Sequence, residues 1–123
     1  IFRSKAKKKN LVITLSEGES ILASIKAAMK EHSLKEATIV DVNGKIMEAK
    51  VNYFERNRYV SKDLKCQEVV AASGSFKISG DELWGGMNVT LNKKKPLTVK
   101  LVQGKAAEGL EIKLLFYEIK IEN

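Results

Sequence analysis

Histidine and cysteine are nearly missing from this chain. His32 is the one histidine and Cys66 the one cysteine in 123 residues. A single cysteine excludes an internal disulfide and fits a reducing compartment. Zinc sites draw mainly on Cys and His, so one of each, far apart, argues against a structural zinc site. The same scarcity argues against a His-based triad or dyad. No apolar run approaches the ~20 residues that span a bilayer. The N-terminus is basic, but no apolar h-region or small-residue cleavage site follows it, so no secretory leader is expected. Neither GxxxxGK[ST] nor GxGxxG occurs, which removes the common nucleotide loops. Asp81 and Glu82 are adjacent. Strand alternation would face them apart, so they do not make an acid–base carboxylate pair.

What is present is an ordinary globular composition, 44% hydrophobic and 30% charged, at a length that fits one domain. The charge is lopsided: 22 basic residues against 15 acidic ones leave +7, which favours polyanionic partners. "RSKAKKK", Arg3 to Lys9, places five positive charges in seven residues. Residues 1–9 lack apolar periodicity after Ile1 and Phe2 and read as a mobile basic arm, ahead of a domain over 10–123. A second cluster, Lys93 to Lys95, precedes Pro96.

"NLVITLS" is β-branched and apolar, a first strand. Ser16 and Glu19 have capping-box spacing, and Ser20 competes as the cap. Ile21, Leu22, Ile25, Ala28 and Met29 then fall on one helical face, and Lys26, Lys30 and Glu31 off it. His32, near the helix end, reads as a dipole-compatible surface residue.

All that follows reads as β-structure. "KEATIVDVNG" gives a strand ending at Asn43-Gly44, a type I′ hairpin signal. "KIMEAKVNYFE" alternates, with Ile46, Glu48, Lys50 and Asn52 on one side and Met47, Ala49, Val51 and Tyr53 on the other. "RNRYVSKD" reads as a loop, and Cys66 as a buried small hydrophobe in the next strand. Gly74 reads as a bulge. "LWGGMNVTL" and "LTVKLVQG" pair across "NKKKP", and "EGLEIKLLFYEIKIE" closes the chain. The expected fold is α+β: a mostly antiparallel, curled sheet of about seven strands with one main helix near the N-terminus. One helix cannot cover such a sheet on both faces. The sheet must curl, pack on itself or find another subunit.

The ordered run "LSEGESILASIKAAMKEHSL", "ATIVDVNGKIMEAKVNYFE" and a long strand through "SGSF" resembles the plants-and-prokaryotes conserved (PPC) domain. That resemblance covers roughly Leu11 to Glu122. It implies an antiparallel α+β fold, a homotrimer, and an association with DNA. Prokaryotic members that the chain resembles carry three histidines on neighbouring strands, similar to the metal site of acetolactate decarboxylase. Matched to "MNVTL" and "VQG", those positions hold Gly86, Asn88 and Lys100 here. The resemblance therefore implies a degenerate pocket, no metal or other cofactor, and no catalytic residues. Gly85 and Gly86 either open a cleft wall to a ligand or mark a bulge or sheet corner beside Trp84, the latter favoured. Trp84 is expected in the core or a subunit contact rather than in a ligand platform.

The functional expectation is a non-catalytic homotrimer, cytoplasmic or nucleoid-associated and without a membrane partner. It would bind DNA through Arg3, Lys5, Lys7, Lys8 and Lys9. No "RGRP" core is present, and lysine ammoniums on phosphates carry no base information, so binding would be sequence-independent. The alternative is a trimer that binds a small molecule or a protein at the degenerate pocket.

Overall fold

A computed structural model describes residues 3–122, with side chains over 7–118. In chain order the elements are β1 (Arg3–Leu15), α1 (Ile21–Glu31), β2 (Glu36–Glu55), β3 (Arg58–Ser79), β4 (Glu82–Leu91), β5 (Leu97–Ala106) and β6 (Leu110–Glu122). The six strands form one antiparallel sheet in the order β1-β6-β2-β3-β4-β5. β2 also pairs with β5, so β2, β3, β4 and β5 close into a ring. Closure removes most exposed sheet edge and leaves β1 as the outer strand.

Six strands stand where about seven were expected, because β2 is continuous through Asn43-Gly44. Gly44 does have a positive φ, 129°, but within the strand. There β2 exchanges one neighbour for another: residues 38–43 pair with β6 and 46–52 with β5. A Cβ on Gly44 would lie 3.2 Å from the Leu110 backbone, so glycine serves a close approach there rather than a turn.

The tight turn lies instead inside the expected loop. Arg56 and Asn57 have φ of 48° and 64°, and Glu55 pairs with Arg58 across them. Positive φ at both central residues is the type I′ requirement, met here without glycine.

A register shift between Ile46 and Glu48 changes the alternation expected for "KIMEAKVNYFE". The extra residue, Met47, lets Ile46, Ala49 and Val51 all point inward, each under 5% exposed. Gly74 is not at a bulge: the β3–β4 register is regular from Ala71 to Ser79, and its one shift falls between Val69 and Ala71. Cys66 is exposed, not buried, with φ 52°.

The helix begins as its sequence suggests. Ser20 is the N-cap and accepts from the Ala23 N–H, while Glu19 Oε1 accepts from the Ser16 N–H at 2.7 Å. Both candidate caps thus take part, one on the helix and one on the turn before it. Ile21, Ile25, Ala28 and Met29 are buried as α1 packs against β5 and β1. Gly104 lets the helix approach closely, since a Cβ there would stand 3.0 Å from Ile21 Cδ1. Helix and ring share one apolar core, which also includes Val51, Met87, Val89, Leu91, Leu101, Ile112 and Leu114. Each fully buried side chain of this kind contributes roughly 1.5–3 kcal/mol.

Residues 3–9, expected as a mobile arm, are strand from Arg3 onward and pair with Glu122 to Phe116. β6 supplies a backbone template that outweighs the missing apolar pattern. Ile1 and Phe2 lie outside the described residues.

Candidate functional site

Two glycines draw β3 and β4 together. Gly85 has φ 118°, and a Cβ there would lie 2.1 Å from the Ser75 carbonyl oxygen. Gly74 has φ 150°, and its Cβ would lie 2.3 Å from the Gly86 oxygen. Both positions exclude any side chain. The requirement comes from β-strand contact and not from a ligand. It is a close approach of strands in regular register, which removes the bulge from the two expected alternatives, bulge or sheet corner.

Gly86, Asn88 and Lys100 do come together. Asn88 pairs directly with Lys100 across β4 and β5, and Asn88 and Lys100 are both exposed. Lys100 extends over Gly86, with Cε 3.3 Å and Nζ 3.9 Å from where a Gly86 Cβ would be. This group does not fit a metal. Gly86 offers no donor, Asn88 is a weak one, and an ammonium covers the place where a cation would sit. Among the described residues, no group of three or more His, Cys, Asp or Glu could hold a metal ion.

The basic run is split by strand geometry. Successive side chains of a strand face opposite sides, so Lys7 and Lys9 face one way and Lys8 the other. Lys7 and Lys8 are exposed, whereas Lys9 forms an ion pair with Glu118 on β6. The side chains of Arg3 and Lys5 lie outside the described residues. Lys93, Lys94 and Lys95 are exposed in the β4–β5 connection.

Trp84 is 57% exposed and so is not a core residue of the single chain. With Phe76, Leu115, Phe116 and Tyr117 it lines an open groove of about 1110 Å³ where β4 begins and β6 nears its end. Beside it, Lys30 on α1 holds the Asp81 carboxylate at 3.0 Å. The hydrogen bond from Lys30, helped by its charge, lowers the Asp81 pKa from its ordinary value.

One feature escaped the sequence reading. Phe54 and Tyr59 face each other across the β2–β3 hairpin, 61% and 82% exposed, with ring centroids 5.3 Å apart in an edge-to-face arrangement. On the opposite face Lys62 lies over the Tyr53 ring, 5.7 Å from its centroid, and a hydrogen bond with Tyr53 raises the Lys62 pKa. The signal was present in "NYFERNRY", but Tyr59 became a strand partner of Phe54 only once Arg56-Asn57 was the turn.

The model of the Plants and Prokaryotes Conserved (PCC) domain family matches residues 2–116. A search of curated proteins found no match. Among solved structures, a metal-containing protein of Archaeoglobus fulgidus is 19% identical with a TM-score of 0.76, over 96% of this chain and 85% of that one. A plant- and prokaryote-conserved (PPC) protein of Pyrococcus horikoshii is 22% identical with a TM-score of 0.70, over 98% of this chain and 82% of its own. A "putative DNA binding protein" of Bacteroides thetaiotaomicron is 16% identical with a TM-score of 0.70, over 90% of this chain and 82% of its own. At these identities the likeness is one of fold.

Proposed function

The chain belongs to the Plants and Prokaryotes Conserved domain family, and on that premise we propose that it is a non-catalytic, homotrimeric binding domain. It associates with DNA through sequence-independent basic contacts, in the cytoplasm or at the nucleoid. The observation that carries this reading is the basic outer strand. Lys7 and Lys8 stand exposed on β1, and Arg3 and Lys5 continue the same strand. The net charge of +7 supports a polyanionic partner, as does the name of the Bacteroides structure. Because Lys9 is engaged by Glu118, it contributes less than its neighbours. Among the described residues, no helix is long and apolar enough to cross a membrane.

Self-association is supported by the outward face. Trp84 and Tyr117 are more than half exposed around the groove, and Val12 is 54% exposed on β1. Exposed aromatic rings grouped around one groove mark protein contacts, and Val12 is a separate exposed position on β1.

Fluorescence anisotropy with a duplex DNA at low salt tests the nucleic-acid reading. Lys7→Gln with Lys8→Gln should weaken binding and flatten the slope of log K against log salt by about 1.8, two phosphates at about 0.9 each. Scrambling the DNA sequence should change little. Equal binding by the variant, or no binding by the native chain, would sink it. Deleting residues 1–9 is a poor test, because it removes half of a paired strand.

A second reading is favoured by one observation, the Lys100 ammonium beside Gly86 and Asn88. It makes the degenerate pocket a site for a small anion, and Lys100→Met would abolish such binding.

A further inference from the structure

We propose that the tip of the β2–β3 hairpin is a stacking platform for unpaired bases of single-stranded nucleic acid. The proposal rests on the nucleic-acid reading above and adds a second contact, distinct from β1.

The hairpin projects beyond the closed ring. Pairing of β2 with β5 ends at Asn52 opposite Lys100, and from Tyr53 to Val60 the two strands have only each other. The tip is held in shape by the Arg56-Asn57 turn and by a continuous register from Glu55–Arg58 to Asn52–Ser61. At this projecting end stand Phe54 and Tyr59, both mostly exposed. The cross-strand contact between the rings stabilises the hairpin only modestly and leaves most of both rings in water. Their edge-to-face contact leaves ring surface free for a third flat group.

The surroundings select the flat group. On the aromatic face stand Lys50, Lys65 and Lys100 against Glu48 and Asp63, with Arg56 in the turn; Arg58 and Lys62 lie on the other face. On the aromatic face Asn52 follows Phe54, accepts from the Ser61 hydroxyl, and pairs with Lys100, which pairs with Asn88. Aromatic rings, then amide groups, then an ammonium run along one surface. Bases stack on aromatic side chains whatever their sequence, and cations follow the phosphates between them. Duplex DNA hides its base faces, so this surface fits a single strand and not a duplex. A purely apolar protein partner would be ill matched by the lysines and amide groups that share this face.

The test is anisotropy with a fluorescent oligothymidylate, the duplex run in parallel. Phe54→Ala with Tyr59→Ala should weaken single-strand binding about tenfold or more and leave the duplex affinity unchanged. The salt slope should stay the same, because no charge is removed. Phe54→Trp with Tyr59→Trp should restore binding. Lys7→Gln with Lys8→Gln separates the two readings, since it should weaken the duplex most. Single-strand binding unchanged in the alanine variant overturns the platform while leaving the β1 reading intact. Duplex binding without single-strand binding does the same. A change of oligomeric mass in the alanine variant also overturns it, by making the rings a subunit contact. Binding of neither nucleic acid by the native chain removes both readings.

Discussion

Lys100 reaches across the strand pair to lie over Gly86, its Cε 3.3 Å from the position of an added Cβ. The neighbouring Gly85 meets backbone instead, the Ser75 carbonyl oxygen at 2.1 Å. Two adjacent glycines therefore have different reasons to be glycine. A lysine side chain can swing away, whereas a strand backbone cannot. Gly85→Ala should cost about 3 kcal/mol or more, from its φ of 118° and the backbone collision. Gly86→Ala should be nearly neutral. Urea denaturation of the two variants checks the contrast, and equal midpoints would contradict it.

The same geometry makes metal affinity recoverable. Asn88 and Lys100 are direct cross-strand partners, and Gly86 lies two residues from Asn88 on the same face. Cβ atoms of such partners stand about 4.5–5.5 Å apart, within the reach of imidazoles sharing one zinc. Gly86→His, Asn88→His and Lys100→His together should bind about one zinc per chain. Lys100→His alone should bind none tightly. Elemental analysis after dialysis against a weak chelator measures both. A zinc-free triple variant with native circular dichroism would show that the three positions do not converge.

Asp81 should titrate below the ordinary carboxylate range, because Lys30 donates to its charged form. A folded-state pKa below the unfolded value adds stability above the unfolded pKa, about 3.9. That contribution fades as pH falls through the folded value. The pair is open to solvent, so the effect on melting should be small. NMR titration of the Asp81 side chain is the direct measurement. Lys30→Ala should move its midpoint upward toward the ordinary value, and an unmoved midpoint would exclude the ion pair as the cause.

Fold class was legible because burial periodicity writes it locally. Ile21, Ile25, Ala28 and Met29 mark the helix face, and the strands around "NKKKP" pair as their sequence suggests. What was illegible depended on neighbours distant in the chain. Asn43-Gly44 has turn chemistry, yet Leu110 and the exchange of partners along β2 keep it extended. Lys7 to Lys9 lack any apolar pattern, yet β6 gives them backbone partners. Met47 shifts the alternation by one, which no local count reveals. The nearness of Gly86, Asn88 and Lys100 was legible, because "MNVTL" and "LTVKLVQG" pair and put the three on one face. The hairpin aromatics were not, because their facing depends on where the turn falls.

Ring closure and α1 bury the inner face of the sheet, but Trp84 and Tyr117 remain 57% and 63% exposed on the outer one. Phe116 and Leu115 lie half-buried beside them in the same groove. Leaving such surface wet forgoes roughly 25 cal/mol for each Å² that a partner could cover. An obligate contact commonly buries more than about 2,000 Å² in total, and the rings would be part of it, with Lys8, the cross-strand partner of Tyr117, at its edge and still open to DNA. Sedimentation should then give three times the 13.7 kDa chain mass at micromolar concentration. The melting temperature should rise with protein concentration, because only the folded state assembles. Trp84→Glu with Tyr117→Glu should yield monomers that keep the native far-ultraviolet circular dichroism, since neither ring belongs to the inner core. A stable native monomer, or a double variant that still sediments as a trimer, would place the contact elsewhere or abolish it.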